Sequence, residues 1–179
     1  MKIVLKEKEM DKIINRLVHE IIEKMPSIEK MGLIGIRTGG VFLAQKIKEL
    51  LYKIEGIQPP FGILDITLYR DDLSVLGYLP TLKKTDIQFS IDDKPILLVD
   101  DVIFSGRTIR AAMDAIIDFG RPSCIELAVL IDRGGRELPI QPDFCGKKLE
   151  VAKNEIVDVR FREQGYDYDC VIKKKRSAK

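Results

Sequence analysis

Asp100 and Asp101 follow a short apolar run, Ile-Leu-Leu-Val, that begins at Ile96 and is bounded by Pro95. A run this short is read as a strand buried on both faces, which puts the acidic pair where the strand leaves its sheet. Ser105, Gly106 and Thr108 come next, and then Ile109, Ala112, Met113, Ile116 and Ile117 recur at helical spacing until Gly120 and Pro122 stop them. The unit is strand, acidic pair, small polar loop, helix. Ligands of open parallel sheets bind beyond the carboxyl ends of the strands. A small loop entering a helix N-terminus offers unpaired N–H groups and a positive dipole end to a phosphate. Gly106 allows close backbone approach, and Ser105 and Thr108 add hydroxyl donors. Two carboxylates beside a phosphate repel it, so they face another part of the ligand: vicinal ribose hydroxyls, or a Mg2+ ion. The ligand implied is a sugar phosphate with free hydroxyls. Receiver domains also end an apolar strand in Asp-Asp, but near their start, whereas 99 residues precede the pair here.

A second unit of the same design lies upstream. Gly32–Ile36 reads as a buried strand, Arg37-Thr38-Gly39-Gly40 as its loop, and Val41, Ala44, Ile47, Leu51 and Ile54 as one side of the next helix. Arg37 supplies charge, Thr38 a hydroxyl, and the glycines unusual backbone angles, so the loop suits an anion. It is neither a Walker A loop nor a dinucleotide fingerprint. A third apolar run, Ile125–Ile131, ends in Asp132 and Arg133 and would lie beside the phosphate loop. There it could frame a planar base, or form a polar turn with a structural salt bridge. The stretch from Tyr69 to about Lys84 lacks periodicity and is read as a lid over the site, with a disordered excursion as the alternative.

The elements that must carry these loops are those of an α/β domain. The 179 residues suit one domain, taken as 1–172, followed by a basic and disordered tail over 173–179. Apolar residues make up 45% and charged residues 32% with a net charge of +2, so any nucleic-acid surface has to come from local clustering. Three cysteines without metal-like spacing, a single histidine and no long apolar run point to a cytoplasmic chain with reduced thiols. Residues 2–5 read as an edge strand, and Met10 to Met25 as an amphipathic helix ended by Pro26. Its polar face carries Asn15, Arg16 and His19, a solvated face by default. Phe61–Thr67 reads as a strand, Ile87–Ile91 as a strand pairing back, and 149–172 as two terminal strands with Ile156, Val157 and Val159 inward.

The run from Ile96 to Thr108 closely resembles the phosphoribosyl-pyrophosphate (PRPP) motif of the type I phosphoribosyltransferases. Further segments, among them Leu64–Leu73, Leu127–Gly134 and Arg136–Ile140, resemble the bifunctional pyrimidine-operon attenuation regulators and uracil phosphoribosyltransferases over nearly the whole chain. The resemblance implies a mostly parallel twisted sheet flanked by helices, and a reaction of uracil with PRPP that gives UMP and pyrophosphate. It also implies Mg2+ dependence, homodimers or higher oligomers, and binding of a pyrimidine-operon leader mRNA. Asp100 and Asp101 would then be catalytic, directly or through Mg2+. Val102, Ile103, Phe104, Ser105, Gly106, Arg107 and Thr108 would cradle the 5′-phosphate. Arg37, Thr38, Gly39 and Gly40 would hold pyrophosphate, Asp132, Arg133 and Val157 the base, and Tyr69, Arg70 and Asp71 would belong to the lid. Asn15, Arg16, His19, Arg136 and Lys147 would face RNA. Three positions depart from the family's pattern: a basic residue is common at Gly39, His at Gly135 and Arg at Gln141.

Overall fold

The computed structural model describes residues 1–25, 27–71, 84–152 and 154–176. Most of the segment read as a lid therefore lies outside the described residues. The strands and helices are β1 (Lys2–Lys6), α1 (Glu7–Lys24), β2 (Gly32–Ile36), α2 (Gly39–Glu55), β3 (Phe61–Leu64), β4 (Pro95–Ile103), α3 (Arg107–Phe119), β5 (Cys124–Asp132), β6 (Phe144–Lys148), β7 (Glu155–Arg160) and β8 (Cys170–Lys175). Five of the strands form a parallel sheet in the order β3-β2-β4-β5-β6, and β1-β8-β7 form a smaller antiparallel sheet.

The apolar run that flagged β4 is explained by its place at the centre of the large sheet. Leu97 and Val99 join Leu17, Leu43 and Ile47 in the core under α1 and α2, while Ile96 and Leu98 join Ile109, Ala112 and Ile116 under α3. Both faces of the strand are covered, so no position is left for a polar residue until the chain nears the sheet's edge. From β2 the sheet grows one way to β3, and from β4 the other way to β5 and β6. At that reversal the loops after β2 and β4 part on opposite sides and open a crevice at the strands' carboxyl ends.

Four expectations need correction. β4 does not stop at Val99, because Val102 and Ile103 still pair with Ile131 and Asp132 of β5, so the acidic pair lies within the strand. β3 ends at Leu64, and Thr67–Tyr69 turn into a short 3-10 helix. Ile87–Ile91 is no strand; among the described residues the segment makes a single bridge, Ile63 to Asp86, and Ile87 and Phe89 pack into the core by their side chains. The basic tail begins later than Lys173, because β8 takes in Lys173, Lys174 and Lys175, paired with β7 and, at Lys173, with β1.

Candidate active site

The crevice is a cleft with two chambers. One, of about 620 Å3, is lined by Arg70, Asp71 and the run Val102–Ile109. The other, of about 340 Å3, is lined by Arg37, Thr38, Asp65, Asp100 and Asp101, among others, and shares Arg70, Val102 and Thr108 with the first. The loops after β2 and β4 and the acidic pair thus meet in one space.

In the loop between β4 and α3, Gly106 has φ +91° and caps α3, and Ser105 Oγ accepts from the Arg107 N–H at 3.3 Å. A side chain at 106 would be strained in that left-handed conformation. The first N–H groups of α3 have no partners within the helix, and residues 107–109 line the larger chamber. Arg107 reaches across its rim to Glu137 at 2.6 Å and Asp71 at 2.5 Å.

Asp100 is buried and Asp101 half-buried. Loss of hydration, with the neighbouring carboxylate close behind, pushes the Asp100 carboxyl well above its usual range, and burial also raises Asp101. Burial and mutual repulsion make the ionised forms of these two acids costly, a cost that a cation or hydroxyl donors would offset. Arg37 is the positive counterpart on the facing loop. Its Nη2 donates to the Lys84 carbonyl at 3.2 Å, while its buried Nε has no partner among the described residues. An anion in the smaller chamber would satisfy that donor. The Arg37–Thr38 peptide is cis. Gly39 approaches Asp101 so closely that a Cβ there would overlap the carboxylate, and a Cβ on Gly40 would overlap the Val99 carbonyl. Gly39 leaves the room that the Asp101 carboxylate occupies.

A third cavity, of about 540 Å3, opens at the end of β5 and is lined by Asp132, Arg133, Gly134 and residues 148–151. The Arg133 guanidinium lies 4.0 Å from the centroid of the Phe104 ring, and its Nε is buried without a partner among the described residues. Burial, reinforced by the charge of Arg176, lowers its pKa. Gly135, at φ +84°, leaves the room that the Phe104 ring occupies. Asp132 and Arg133 are thus brought together, whereas Val157 sits on β7, packed against the core under α1 and α2.

The residues expected to face RNA do not form one surface. Asn15, Arg16 and His19 are exposed on α1, with Asn15 Nδ2 donating to the Asp11 carbonyl at 2.8 Å. Arg16 Nη2 donates to the carbonyl of Gly146 and pairs with Glu20, which brings exposed Lys147 of β6 next to it. Arg136 departs from the group: it is turned inward against Asp132 and the phosphate loop. Sequence reading missed Asp65, which follows the end of β3 at Leu64 and lines the smaller chamber. It also missed Asp158 of β7, whose charge acts on Asp101.

Comparison with known proteins agrees with this geometry. The description of a phosphoribosyl transferase domain matches residues 1–164. A protein of Thermoanaerobacter sp. strain X514, named Bifunctional protein PyrR, is 54% identical over 160 residues, covering 89% of this chain and 90% of its own. One of the same name from Caldicellulosiruptor bescii is 50% identical over 171 residues, covering 96% and 94%. The chain is a phosphoribosyltransferase of the bifunctional PyrR family. The hypoxanthine phosphoribosyltransferase of Trypanosoma cruzi, 16% identical, superposes with a TM-score of 0.72 over 99% of this chain and 98% of its own. That likeness establishes the type I phosphoribosyltransferase fold. Among the described residues no helix is long and apolar enough to cross a membrane.

Proposed function

We propose that the protein transfers the phosphoribosyl group of PRPP to uracil, in the cytoplasm, giving UMP and pyrophosphate. The observation that carries this reading is the continuous cleft that joins Arg37, the acidic pair and the phosphate loop, with a separate cavity at the end of the adjacent strand. The 5′-phosphate fits the N–H groups at the start of α3. Pyrophosphate fits the loop at Arg37 and Thr38, and the ribose hydroxyls between them meet Asp100 and Asp101. As the bond from C1 to pyrophosphate breaks, its electron pair leaves with the pyrophosphate and positive charge develops on the ring. Ionised carboxylates at Asp100 and Asp101 stabilise that charge. Uracil, held beside Asp132 and Arg133, forms the new bond to C1 through a ring nitrogen whose N–H bond breaks, the proton passing to solvent.

Asp100 and Asp101 suit Mg2+, and among the described residues no cluster of three or more acidic, histidine or cysteine ligands exists. The rest of an octahedral shell would come from substrate and water. The ion would supply charge neutralisation for the departing pyrophosphate. Product formation from labelled uracil and PRPP with Mg2+, against hypoxanthine, guanine and orotate as competitors, tests the assignment. Preference for any competitor would overturn uracil.

The shared name of the relatives favours a second activity, binding of a pyrimidine-operon leader mRNA when a uridine nucleotide is present. Exposed Arg16, His19 and Lys147 on α1 and β6 would contact it, and a homodimer would place two such edges on one assembly. UMP-dependent binding of a leader transcript over a scrambled RNA at fixed salt is the expected result. Equal binding of both RNAs removes this activity from the reading.

A further inference from the structure

Arg136 stands between the phosphate loop and the cavity at the end of β5. Its side chain is 13% exposed. Nε donates to the Ile140 carbonyl at 2.8 Å, Nη1 to the Phe104 carbonyl at 2.9 Å, and Nη2 to Gln141 Oε1 at 3.4 Å. Nη2 also lies 2.9 Å from Asp132 Oδ2, and the other oxygen of that buried carboxylate accepts from the Gly134 N–H at 2.9 Å. One planar group spans two subsites.

The bond to Phe104 belongs to a set. The Arg133 N–H donates to the Ile103 carbonyl at 3.1 Å, and the N–H groups of Glu137 and Leu138 to the Ser105 carbonyl at 2.9 and 3.1 Å. Three consecutive carbonyls are therefore held on the side of the 133–138 segment. In a planar trans peptide the N–H points opposite to its C=O. Fixing those carbonyls turns the N–H groups of Phe104, Ser105 and Gly106 the other way, and the same residues line the larger chamber. Carbonyl oxygens in that chamber would repel a phosphate, whereas N–H groups attract it. Arg136 provides the side-chain donor of the set, among the described residues.

We infer that Arg136 is a positioning residue for both substrates. Nη1 holds the phosphate loop in its anion-binding orientation, and Nη2 fixes the Asp132 carboxylate at the base cavity. The base arm rests on the uracil reaction proposed above; the donor arm needs PRPP alone.

The test compares Arg136→Met and Arg136→Lys with the wild type, in steady-state kinetics with uracil and PRPP and in calorimetric titration of PRPP with Mg2+. Lysine keeps the charge on one flexible ammonium and lacks the rigid fork that serves two acceptors at once. Losing hydrogen bonds to a charged or carbonyl partner predicts that methionine raises both KM values about 10-fold while kcat changes far less. Lysine restores the KM for uracil, through Asp132, and leaves the KM and Kd for PRPP high. A merely structural role lowers kcat by shrinking the active fraction at unchanged KM and Kd, and that result overturns the inference. So does rescue of both constants by lysine, or unchanged kinetics with loss of RNA binding alone. If the wild type makes no UMP from uracil, the proposed reaction fails and the PRPP titration decides by itself. Equal PRPP affinity in all three proteins then overturns the inference, and weaker binding in both variants sustains it.

Discussion

Asp100 is held in a place where a carboxylate is costly, buried and next to a second acid. Asp100→Asn removes one electrostatic stabiliser of the ring cation, and turnover should fall about 10²–10³-fold. The same change relieves the buried repulsion, so the melting temperature should rise as activity falls, the exchange of stability for function expected at a site of this kind. Near-normal turnover would sink the catalytic assignment. Asp132 shows the opposite balance. Burial pushes its carboxyl upward, but the Arg136 hydrogen bond, the Gly134 N–H and the charges of Arg136 and Lys148 together hold it below the ordinary value of 3.8. A depressed carboxyl contributes stability above pH 3.8 and loses it as pH falls through the lower, folded-state value. The stability gap between wild type and Arg136→Met should therefore be widest near neutral pH and narrow below pH 3.8. Urea unfolding at both pH values measures it, and a constant gap would show that the pair carries none of the difference.

At the scale of elements, the stems flanking residues 72–83 are tied to both anion loops. Tyr69 donates its hydroxyl to Asp118 of α3 at 2.5 Å, Arg110 donates to the Tyr69 carbonyl at 3.1 Å, and Asp71 pairs with Arg107. On the returning side, Lys84 accepts from Arg37, and Thr85 Oγ1 accepts from the Asp65 N–H at 3.0 Å. Each arginine would also serve a bound anion, so PRPP should be felt in both stems. Amides at 69–71 and 84–86 should exchange more slowly with PRPP and Mg2+ than without; identical rates would uncouple the stems from the loops. What was legible in the sequence follows from which elements leave a mark locally. β4 and its acidic pair were legible because a strand covered on both faces excludes polar residues until its end. β6 was not, because an edge strand of Phe144, Cys145, Gly146, Lys147 and Lys148 carries too little apolar pattern to register. The inward turn of Arg136 was invisible for another reason: its partners at 104 and 132 become neighbours only once β4 and β5 pair.

Across the whole molecule, the two sheets share one core, and an ion pair ties α2 to the connection between β7 and β8. Leu5, Val159, Phe161 and Val171 from the smaller sheet and its connection pack with Leu97 and Leu130 of the larger one. Lys46 of α2 reaches Asp169 at 3.0 Å, and the Arg162 N–H donates to the other Asp169 oxygen at 2.8 Å. Asp169 is 3% exposed, so Lys46→Met leaves a buried charge with one remaining donor. The loss should be about 2–3 kcal/mol, below the full cost of breaking a deeply buried pair because Lys46 itself is partly solvated. Chemical denaturation reads that loss directly. PRPP affinity should not change, since the pair lies outside the cleft.

β8 occupies the middle of the small sheet, with β1 on one side and β7 on the other. During synthesis, the earliest of the described strands therefore has no partner until the latest has left the ribosome. The parallel sheet carrying the cleft can assemble first, while β1 waits with its backbone open to other strands. The interval between those events is when a nascent chain is most exposed to mispairing, and its length is set by where β8 falls in the sequence rather than by the strength of any contact.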